Sequence, residues 1–281
     1  MKQPYISVII PSYKPKDYLW QCLDSLYGQS MPKEQYEVIL LLNDCNEPYA
    51  TDIAHYADIH LRGMQFHLLQ TDTGGVSNAR NMAMDIAKGD FFTFIDDDDY
   101  VSPQYLEGLA SVATEDTVSL SVIKSFIDGT DNFTDYYSKN EHNRMLQGRK
   151  YSINAAKRQF SIVCAKLIHR DIIGGRKFNT HFKNSEDSLF AFVISDNIKY
   201  ATTSPNSCVY YRRLRENSAL TKRKSLKEIW SIFYNFNAAV ITTYINNMGR
   251  YSFLFFLTRI LASCHGLLDN IIMNYKAKKS V

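Results

Sequence analysis

The feature that most constrains this chain is an apolar segment that ends in four consecutive carboxylates. Residues Phe91–Ile95 are apolar or β-favouring, and the acids Asp96–Asp99 follow them directly. This pattern predicts a buried strand that carries its acids to the carboxyl edge of a sheet, where open α/β sheets bind ligands. Neighbouring carboxylates repel one another, so four in a row favour a bound cation. We therefore predict an oxygen-ligand site for Mg²⁺ or Mn²⁺.

An acidic run of this kind also occurs in two different settings. A solvated loop or a helix start would carry acids here, since Ser102-Pro103 is typical of the beginning of a helix. An EF-hand loop requires glycine at its sixth position, where this chain has Val101. The EF-hand is therefore excluded, while the loop or helix start stays open.

The first half of the chain alternates between strand-like and helix-like segments. The predicted strands are Tyr5–Ile10, Tyr36–Leu42, Gln65–Leu69 and Phe91–Ile95. A first helix is predicted from Asp17 to Leu26, and a later one opens after Thr73–Asn78, with an inner face that consists of Ala79, Met82, Ala83 and Ile86. This alternation predicts an α/β fold with a mostly parallel, doubly wound sheet whose functional groups gather on one rim.

The composition is that of a globular protein. Of the 281 residues 45% are hydrophobic, and the formal net charge of +3 gives no indication of nucleic-acid binding. The first predicted strand begins at Tyr5, which leaves no room for a signal peptide, so we expect a cytoplasmic protein. The five cysteines are scattered without CxxC spacing, and they favour neither a disulfide framework nor a zinc site.

Five motifs occur in a fixed order along the chain. They are Ser7–Tyr13, Val38–Asp44, Gly75–Asn81 with Ala87–Asp90, Phe94–Asp99 with Pro103, and Ala165–Arg170 followed by Ser185–Phe190. Together they resemble family-2 inverting glycosyltransferases of the GT-A fold. The resemblance implies one catalytic domain with a nucleotide-sugar-binding half, residues 1–115, and an acceptor-side half, residues 116–224. Residues 225–281 would be a helical C-terminal extension.

The resemblance also implies roles for the acidic run. In the family, an Asp-x-Asp element holds a divalent metal that bridges the donor pyrophosphate. By position, Asp98 would be the principal metal ligand, and Asp96 would support the site. Asp97 would lie near the donor ribose, and Asp99 would be a supporting or helix-capping group. The register within four identical residues is open by one position.

The donor nucleotide would lie at the ends of the first two strands. By the same resemblance, Pro11 and Tyr13 would line the nucleobase pocket. The second strand of the family usually ends in an Asp that accepts the uracil N3–H, whereas this chain has Asn43 followed by Asp44. An Asn carbonyl can accept the same hydrogen bond, so we expect a UDP-sugar donor. The alternative is that these residues only close a turn after the strand.

Basic residues are implied around the pyrophosphate. Arg80 would face the donor phosphates or the metal-binding acids, and Arg215 and Ser218 would close over the pyrophosphate. The alternatives are an ordinary surface ion pair for Arg80 and a solvated or lipid-facing patch for the arginines around Arg215.

Inverting transfer also requires a base for the acceptor hydroxyl. The resemblance makes Asp187 the candidate, at the start of a helix packed under the acceptor site. The alternative is that Ser185 caps this helix and that Glu186 and Asp187 only interact with its dipole.

Apolar residues recur at helical spacing in two segments after residue 224, Ile229–Tyr244 and Phe253–Leu268. Packing on the catalytic domain, or on the second subunit of a homodimer, would account for both. The alternative is an interfacial anchor on the inner face of the plasma membrane, where a polyprenyl-linked acceptor would be presented. Arg259 and His265 interrupt any spanning segment.

Two functions from different classes are consistent with these features. The first is a metal-dependent hexosyl- or N-acetylhexosaminyltransferase that moves a sugar from a nucleotide diphosphate to a saccharide or lipid-linked saccharide, in surface polysaccharide synthesis. The second is a non-catalytic nucleotide-sugar-binding module of the same fold. The presence of both the acidic run and Glu186-Asp187 favours the enzyme.

Overall fold

Long apolar strands form the centre of the molecule. The computed structural model describes residues 5–45, 47–130, 133–134, 145–215 and 224–279. In chain order, the strands in these residues are β1 (Ile6–Ser12), β2 (Tyr36–Asn43), β3 (Gln65–Thr71), β4 (Phe91–Phe94), β5 (Tyr100–Val101), β6 (Thr117–Leu120), β7 (Val122–Ile127), β8 (Phe133–Thr134), β9 (Lys166–His169), β10 (Tyr200–Thr203) and β11 (Val209–Leu214). The α-helices are α1 (Tyr18–Tyr27), α2 (Tyr49–His60), α3 (Val76–Ile86), α4 (Tyr105–Ala110), α5 (Arg170–Ile173), α6 (Glu186–Val193), α7 (Leu226–Asn246) and α8 (Phe253–Lys279).

The larger sheet has seven strands in the order β10-β6-β9-β4-β1-β2-β3. Neighbouring strands are parallel except around β9, which runs antiparallel to both β4 and β6. Strands from residues 1–115 and from residues 116–224 therefore pair in one sheet. A smaller sheet has the order β5-β11-β7-β8. Its edge strand β5 is the next strand after β4 along the chain. The predicted α/β architecture with a mostly parallel sheet is confirmed.

Burial explains why these segments form strands and helices. Strands β1 and β2 are buried along their whole length, as expected of parallel strands that are covered on both faces. Helix α1 packs onto the sheet through the side chains that the helical spacing predicted, Leu19, Cys22, Leu23 and Leu26.

Helix α3 is rotated relative to its prediction. Ala79 and Ala83 are buried as expected, but Met82 and Ile86 are exposed, so the prediction for these two residues was wrong. The helix instead turns Arg80 inward, where carboxylates accept hydrogen bonds from its guanidinium. Charge-assisted hydrogen bonds of this kind are among the stronger ones in proteins, so they favour this rotation of the helix.

The carboxyl ends of β1, β2 and β4 meet at one edge of the sheet. Ser12 ends β1, Asn43 ends β2, and the acidic run begins two residues after Phe94 ends β4. The strand ends are joined directly, since Asn43 Nδ2 donates a hydrogen bond to the Ser12 carbonyl at 3.0 Å. The polar residues that follow three separate strands are thereby brought to one place.

The predicted helical C-terminal extension is confirmed as an antiparallel pair, α7 and α8. Three contacts define the pairing: Tyr244 stacks on Phe256 with ring centroids 4.3 Å apart, Asn237 donates to Ser263 Oγ at 2.9 Å, and Asn274 donates to the Lys224 carbonyl at 2.9 Å. We call this pair the C-terminal hairpin. In the described residues, one helix is long and apolar enough to cross a membrane by length and composition alone, and it is Phe253–Tyr275 within α8.

One side of α8 is part of the core of the α/β domain. The Phe255 ring contacts the rings of Phe160 and Phe192, with centroids 6.3 and 6.2 Å away. Arg259 is 3% exposed and donates to the Lys157 carbonyl at 2.8 Å. The hairpin is therefore packed on the domain and is not a detached tail.

We expect Phe255→Ala to lower the free energy of unfolding by about 3–5 kcal/mol, because it removes a fully buried ring and leaves a cavity. Phe253→Ala is the matched control, since Phe253 is 62% exposed and lies in the same turn of the helix. The control should cost less than about 1 kcal/mol. Urea denaturation of both variants provides the measurement, and equal costs would contradict the packing described here.

Candidate active site at the carboxyl edge of the sheet

The acidic run forms a tight turn between β4 and β5. The Asp99 amide donates to the Asp96 carbonyl at 3.1 Å, which closes the turn. The Asp96 amide in turn donates to the Tyr210 hydroxyl oxygen at 3.2 Å, so β11 holds the turn from its far side. The four acids are thus fixed at the sheet edge and do not form a solvated loop.

Asp99 is the anchor of this turn. It is buried, and its two carboxylate oxygens accept hydrogen bonds from the Tyr210 hydroxyl at 2.6 Å and from the Arg213 amide at 2.7 Å. Burial, followed by the charges of Asp98 and Asp96, raises its pKa well above the usual range. Asp99 does not cap a helix, because α4 begins only at Tyr105.

Three of the acids are arranged so that they could hold a metal. Carboxylate oxygens of Asp96, Asp98 and Asp99 lie within 4.8 Å of one another. An all-oxygen set of this kind is the one that Mg²⁺ and Mn²⁺ prefer, so the residues fit the predicted ion. Asp98 Oδ2 lies 2.5 Å from Arg215 Nη2, and the guanidinium partly compensates the negative charge. Burial and the charge of Asp96 nevertheless raise the pKa of Asp98.

Asp97 points away from this cluster toward the end of β1. Its Oδ2 accepts a hydrogen bond from the buried Ser12 hydroxyl at 2.6 Å. Burial raises the pKa of Asp97 to about 7, although the Ser12 hydrogen bond opposes the shift. The residue predicted to lie near the donor ribose therefore sits beside the first strand, apart from the three acids above.

Arg80 connects the acidic turn to the start of helix α6. The side chain is only 3% exposed, and its guanidinium donates to Asp187 Oδ1 at 2.6 Å and to Asp96 Oδ1 at 3.1 Å. Glu186 lies 3.7 Å away, and the Phe178 ring lies 5.3 Å from the guanidinium carbon. The alternative of an ordinary surface ion pair does not describe this buried arrangement.

Asp187 is held on both of its oxygens. Oδ1 accepts from Arg80, and Oδ2 accepts from the Val163 amide at 3.1 Å. Ser185 makes no capping hydrogen bond to helix α6, so the alternative that it serves as a cap is not what the structure contains. The neighbouring Glu186 is less constrained, and burial together with the Asp187 charge raises its pKa to about 6.

Asn43 lies at the predicted base position, but its amide is used inside the protein. Its side-chain oxygen accepts from the Gly75 amide at 2.8 Å, while its nitrogen bonds to the Ser12 carbonyl. The side chain is buried and both of its polar atoms are engaged within the protein, and its role at uracil stays a prediction. Asp44 is exposed beside it, with a left-handed backbone at φ 51°, and its carboxylate borders Gly74. Asp44 is therefore the candidate at this edge for accepting a hydrogen bond from the base.

The remaining predicted donor residues are distributed around the same edge. Pro11 is buried within β1, whereas Tyr13 is exposed just beyond it. Arg215 Nη1 donates to the Tyr18 hydroxyl at 3.1 Å, and its guanidinium lies 4.6 Å from the centre of that ring. Ser218 lies outside the described residues.

Sequence reasoning missed the residues that position the acids. Ser12, Tyr18, Tyr210 and Arg213 were not assigned to the site, although each contacts an acid or Arg215. The run Tyr210–Arg215 offered a signal, because alternate residues of a strand share one face and the strand is rich in polar groups. The contacts themselves join residues that are 85 to 197 positions apart, which no local pattern reveals.

Comparison with known proteins identifies the family. The model of the family described as "Glycosyl transferase family 2" matches residues 7–175, more than half of the chain. The chain belongs to glycosyl transferase family 2. A poly(ribitol-phosphate) β-glucosyltransferase of Bacillus spizizenii is 27% identical over 220 residues, which cover 77% of this chain and 33% of the relative. The putative glycosyltransferase EpsH of Bacillus subtilis is 26% identical over 254 residues, which cover 86% of this chain and 70% of the relative.

Solved structures of similar proteins place this family member in the GT-A fold. Staphylococcus aureus TarS 1-349, in complex with UDP-GlcNAc, aligns with a TM-score of 0.67 at 21% identity, over 84% of this chain and 66% of that one. A mannosyltransferase of Pyrobaculum calidifontis, in complex with GDP-Man and Mn²⁺, aligns with a TM-score of 0.62 at 16% identity. The alignment covers 100% of this chain and 77% of the mannosyltransferase. The chain spans about a third of the length of the Bacillus spizizenii β-glucosyltransferase and of a poly(ribitol-phosphate) β-N-acetylglucosaminyltransferase of Staphylococcus aureus.

The raised pKa of Asp97 predicts a pH-dependent stability of the metal-free protein. Its folded-state value near 7 lies above the ordinary 3.8, so this contribution to stability is fully present below about pH 4. The contribution is lost as the pH rises through about 7. We expect the free energy of unfolding in chelator, measured in urea, to fall more steeply between about pH 4 and pH 7 in the wild type than in Asp97→Asn. Identical slopes would contradict the assignment.

Proposed function

We propose that the protein is a metal-dependent inverting glycosyltransferase. It moves a hexosyl or N-acetylhexosaminyl group from a UDP-sugar to a hydroxyl of a saccharide or lipid-linked saccharide, in the synthesis of a surface polysaccharide. The single observation that carries this proposal is the bridge formed by Arg80, which holds Asp96 of the donor side and Asp187 of the acceptor side on one guanidinium. A donor site and a base are thereby adjacent, as group transfer requires.

The relatives support the choice of substrates. One relative is named as a poly(ribitol-phosphate) β-glucosyltransferase, another as a β-N-acetylglucosaminyltransferase, and the TarS structure contains UDP-GlcNAc. By analogy, we propose UDP-glucose and UDP-N-acetylglucosamine as the first donors to test. Polymers rich in hydroxyl groups, such as polyol phosphates, are the corresponding class of acceptor.

The donor would bind across the edge where β1, β2 and β4 end. Asp44 would accept the uracil N3–H, the Tyr13 ring would cover the base, and Asp97 would lie toward the ribose. Asp98 and Asp96 would hold Mn²⁺ or Mg²⁺, which when bound neutralises charge on the leaving diphosphate. Arg215, which now pairs with Asp98, is within reach of the same charge.

The acceptor hydroxyl would be activated from the opposite side. In this proposal, Asp187 takes the hydroxyl proton as the acceptor oxygen forms its bond to the anomeric carbon, and the bond to the diphosphate breaks with its electron pair on the leaving oxygen. Arg80 and the Val163 amide fix the Asp187 carboxylate in one orientation. Arg80 is therefore a positioning residue for the base.

The metal assignment predicts a chelator-sensitive affinity for UDP. We expect calorimetry to give much tighter UDP binding with Mn²⁺ than with chelator, and Asp98→Ala to remove the difference, because the variant lacks the principal ligand. Asp58→Ala, an exposed acid on α2, is the matched control and should keep the metal effect. Equal affinity with and without metal in the wild type would refute metal dependence.

Kinetics can distinguish the roles of Glu186 and Asp187, the two acids at the start of α6. We expect Asp187→Asn to lower kcat by on the order of 10²–10⁴-fold, the usual contribution of a general base, and to leave UDP affinity nearly unchanged. Glu186→Gln is the matched comparison, because its side chain is adjacent and makes only the longer 3.7 Å approach to Arg80. A larger loss in Glu186→Gln than in Asp187→Asn would transfer the role to Glu186. Donor binding without turnover on any acceptor or water would instead favour a binding module.

A further inference from the structure

Helix α7 carries a stripe of exposed apolar side chains. Its members are separated by 4, 4, 7 and 4 residues, a spacing that keeps them on one side of a helix. They are Leu226, Trp230, Tyr234, Ile241 and Ile245, and all are exposed. The buried side chains of the helix, Ile229, Phe236 and Val240, lie on a different side and contact the rest of the protein.

Helix α8 carries a second stripe of the same kind. Its exposed members are Phe253, Leu254, Leu257, Leu261, Leu268 and Ile272. Their spacing likewise keeps them on one side, which differs from the side that Phe255 and Arg259 direct into the domain. Apolar residues scattered singly on a surface are ordinary, but eleven on two adjacent helices form a patch that indicates a binding surface.

The two stripes border each other. Phe253 is exposed and also lies at the contact between the helices, with its ring centroid 6.2 Å from that of Tyr244. Tyr244 precedes Ile245 of the first stripe by one residue. The stripes therefore form one surface along the outer side of the C-terminal hairpin, which we call the outer face.

Positive charge is concentrated at one end of this surface. The hydrogen bond from Asn274 to the Lys224 carbonyl brings the end of α8 to the start of α7. Lys224 and Lys227 lie at this end of the hairpin, and the sequence of the last residues of α8 contains three more lysines, at positions 276, 278 and 279. The acids of the hairpin are Glu228, which bonds to the Ser225 amide, and Asp269, which pairs with His265 at 2.9 Å. A partner with an apolar layer and negative charge beside it matches this distribution.

We propose that the outer face binds the surface of an anionic lipid bilayer, with the hairpin lying in the interface. Two helices with exposed apolar stripes and flanking lysines have the features of interfacial helices. A spanning arrangement is inconsistent with the structure, because Phe255 and Arg259 keep α8 against the catalytic domain. The inference does not depend on the proposed chemistry, since it concerns residues outside the candidate active site.

Sedimentation with vesicles tests the proposal on the full chain. We expect the protein to bind phosphatidylglycerol-containing vesicles at low salt and to bind vesicles of phosphatidylcholine alone less tightly. Leu257→Ser and Leu261→Ser should each weaken binding by on the order of tenfold, because a leucine side chain would no longer enter the bilayer. Ile59→Ser and Ile86→Ser are matched controls, since these exposed residues lie on α2 and α3. The controls should bind like the wild type.

Charge and insertion can be measured separately. Lys227→Gln should weaken binding to the anionic vesicles by about fivefold, while Lys33→Gln, far away in sequence, should have no effect. The chain contains two tryptophans, Trp20 and Trp230, so the Trp20→Phe protein reports on Trp230 alone. Trp230 is 53% exposed, and we expect its emission to shift to the blue when anionic vesicles are added.

Three results would overturn the proposal. The first is an absence of vesicle binding at low salt by a protein that still binds UDP. The second is vesicle binding that the leucine variants do not weaken while Trp230 emission stays unchanged. The third is a dimer in sedimentation equilibrium that the leucine variants dissociate and that ignores vesicles, in which case the outer face is a contact between two copies of this chain.

Discussion

One buried cation, the Arg80 guanidinium, holds the two halves of the site together. An unpaired guanidinium at this depth would be costly, and the carboxylates of Asp96 and Asp187 would repel each other without it. The Arg80 guanidinium and the carboxylates of Asp96 and Asp187 therefore stabilise one another. The consequence is that the strand end at Asp96 and the helix start at Asp187 form one electrostatic unit, although the two residues are far apart in the sequence.

The four consecutive aspartates illustrate how surroundings create different groups from identical residues. Asp96 bonds to Arg80, Asp97 to Ser12, Asp98 to Arg215, and Asp99 to Tyr210. These partners come from α3, β1, β11 and the residue that follows it, so no two acids share the same environment. The turn can therefore combine a rigid anchor, a half-buried titrating group and the oxygens for a metal within four positions.

Much of this was accessible from sequence because it depends on local patterns. The strand Phe91–Phe94 and the acids after it follow from apolar runs and from the geometry of parallel sheets. The rotation of α3 did not, since helical spacing favours Met82 and Ile86 over a charged residue for the buried face. Asn43 was assigned to the base because its position resembles the base-reading Asp of the family. Its partner Gly75 is distant in sequence, so only the fold shows that its side-chain oxygen accepts a hydrogen bond within the protein.

The amide of Asn43 has a consequence for changing the donor. Because it joins the end of β1 to the turn before α3, an Asp at this position would lose the donated hydrogen bond and place a charge against a backbone carbonyl. The residue that resembles the base-reading position is thus a poor place to alter nucleotide preference. Under the proposed donor geometry, libraries aimed at a different nucleotide would do better to vary Asp44 and Tyr13, whose side chains are exposed.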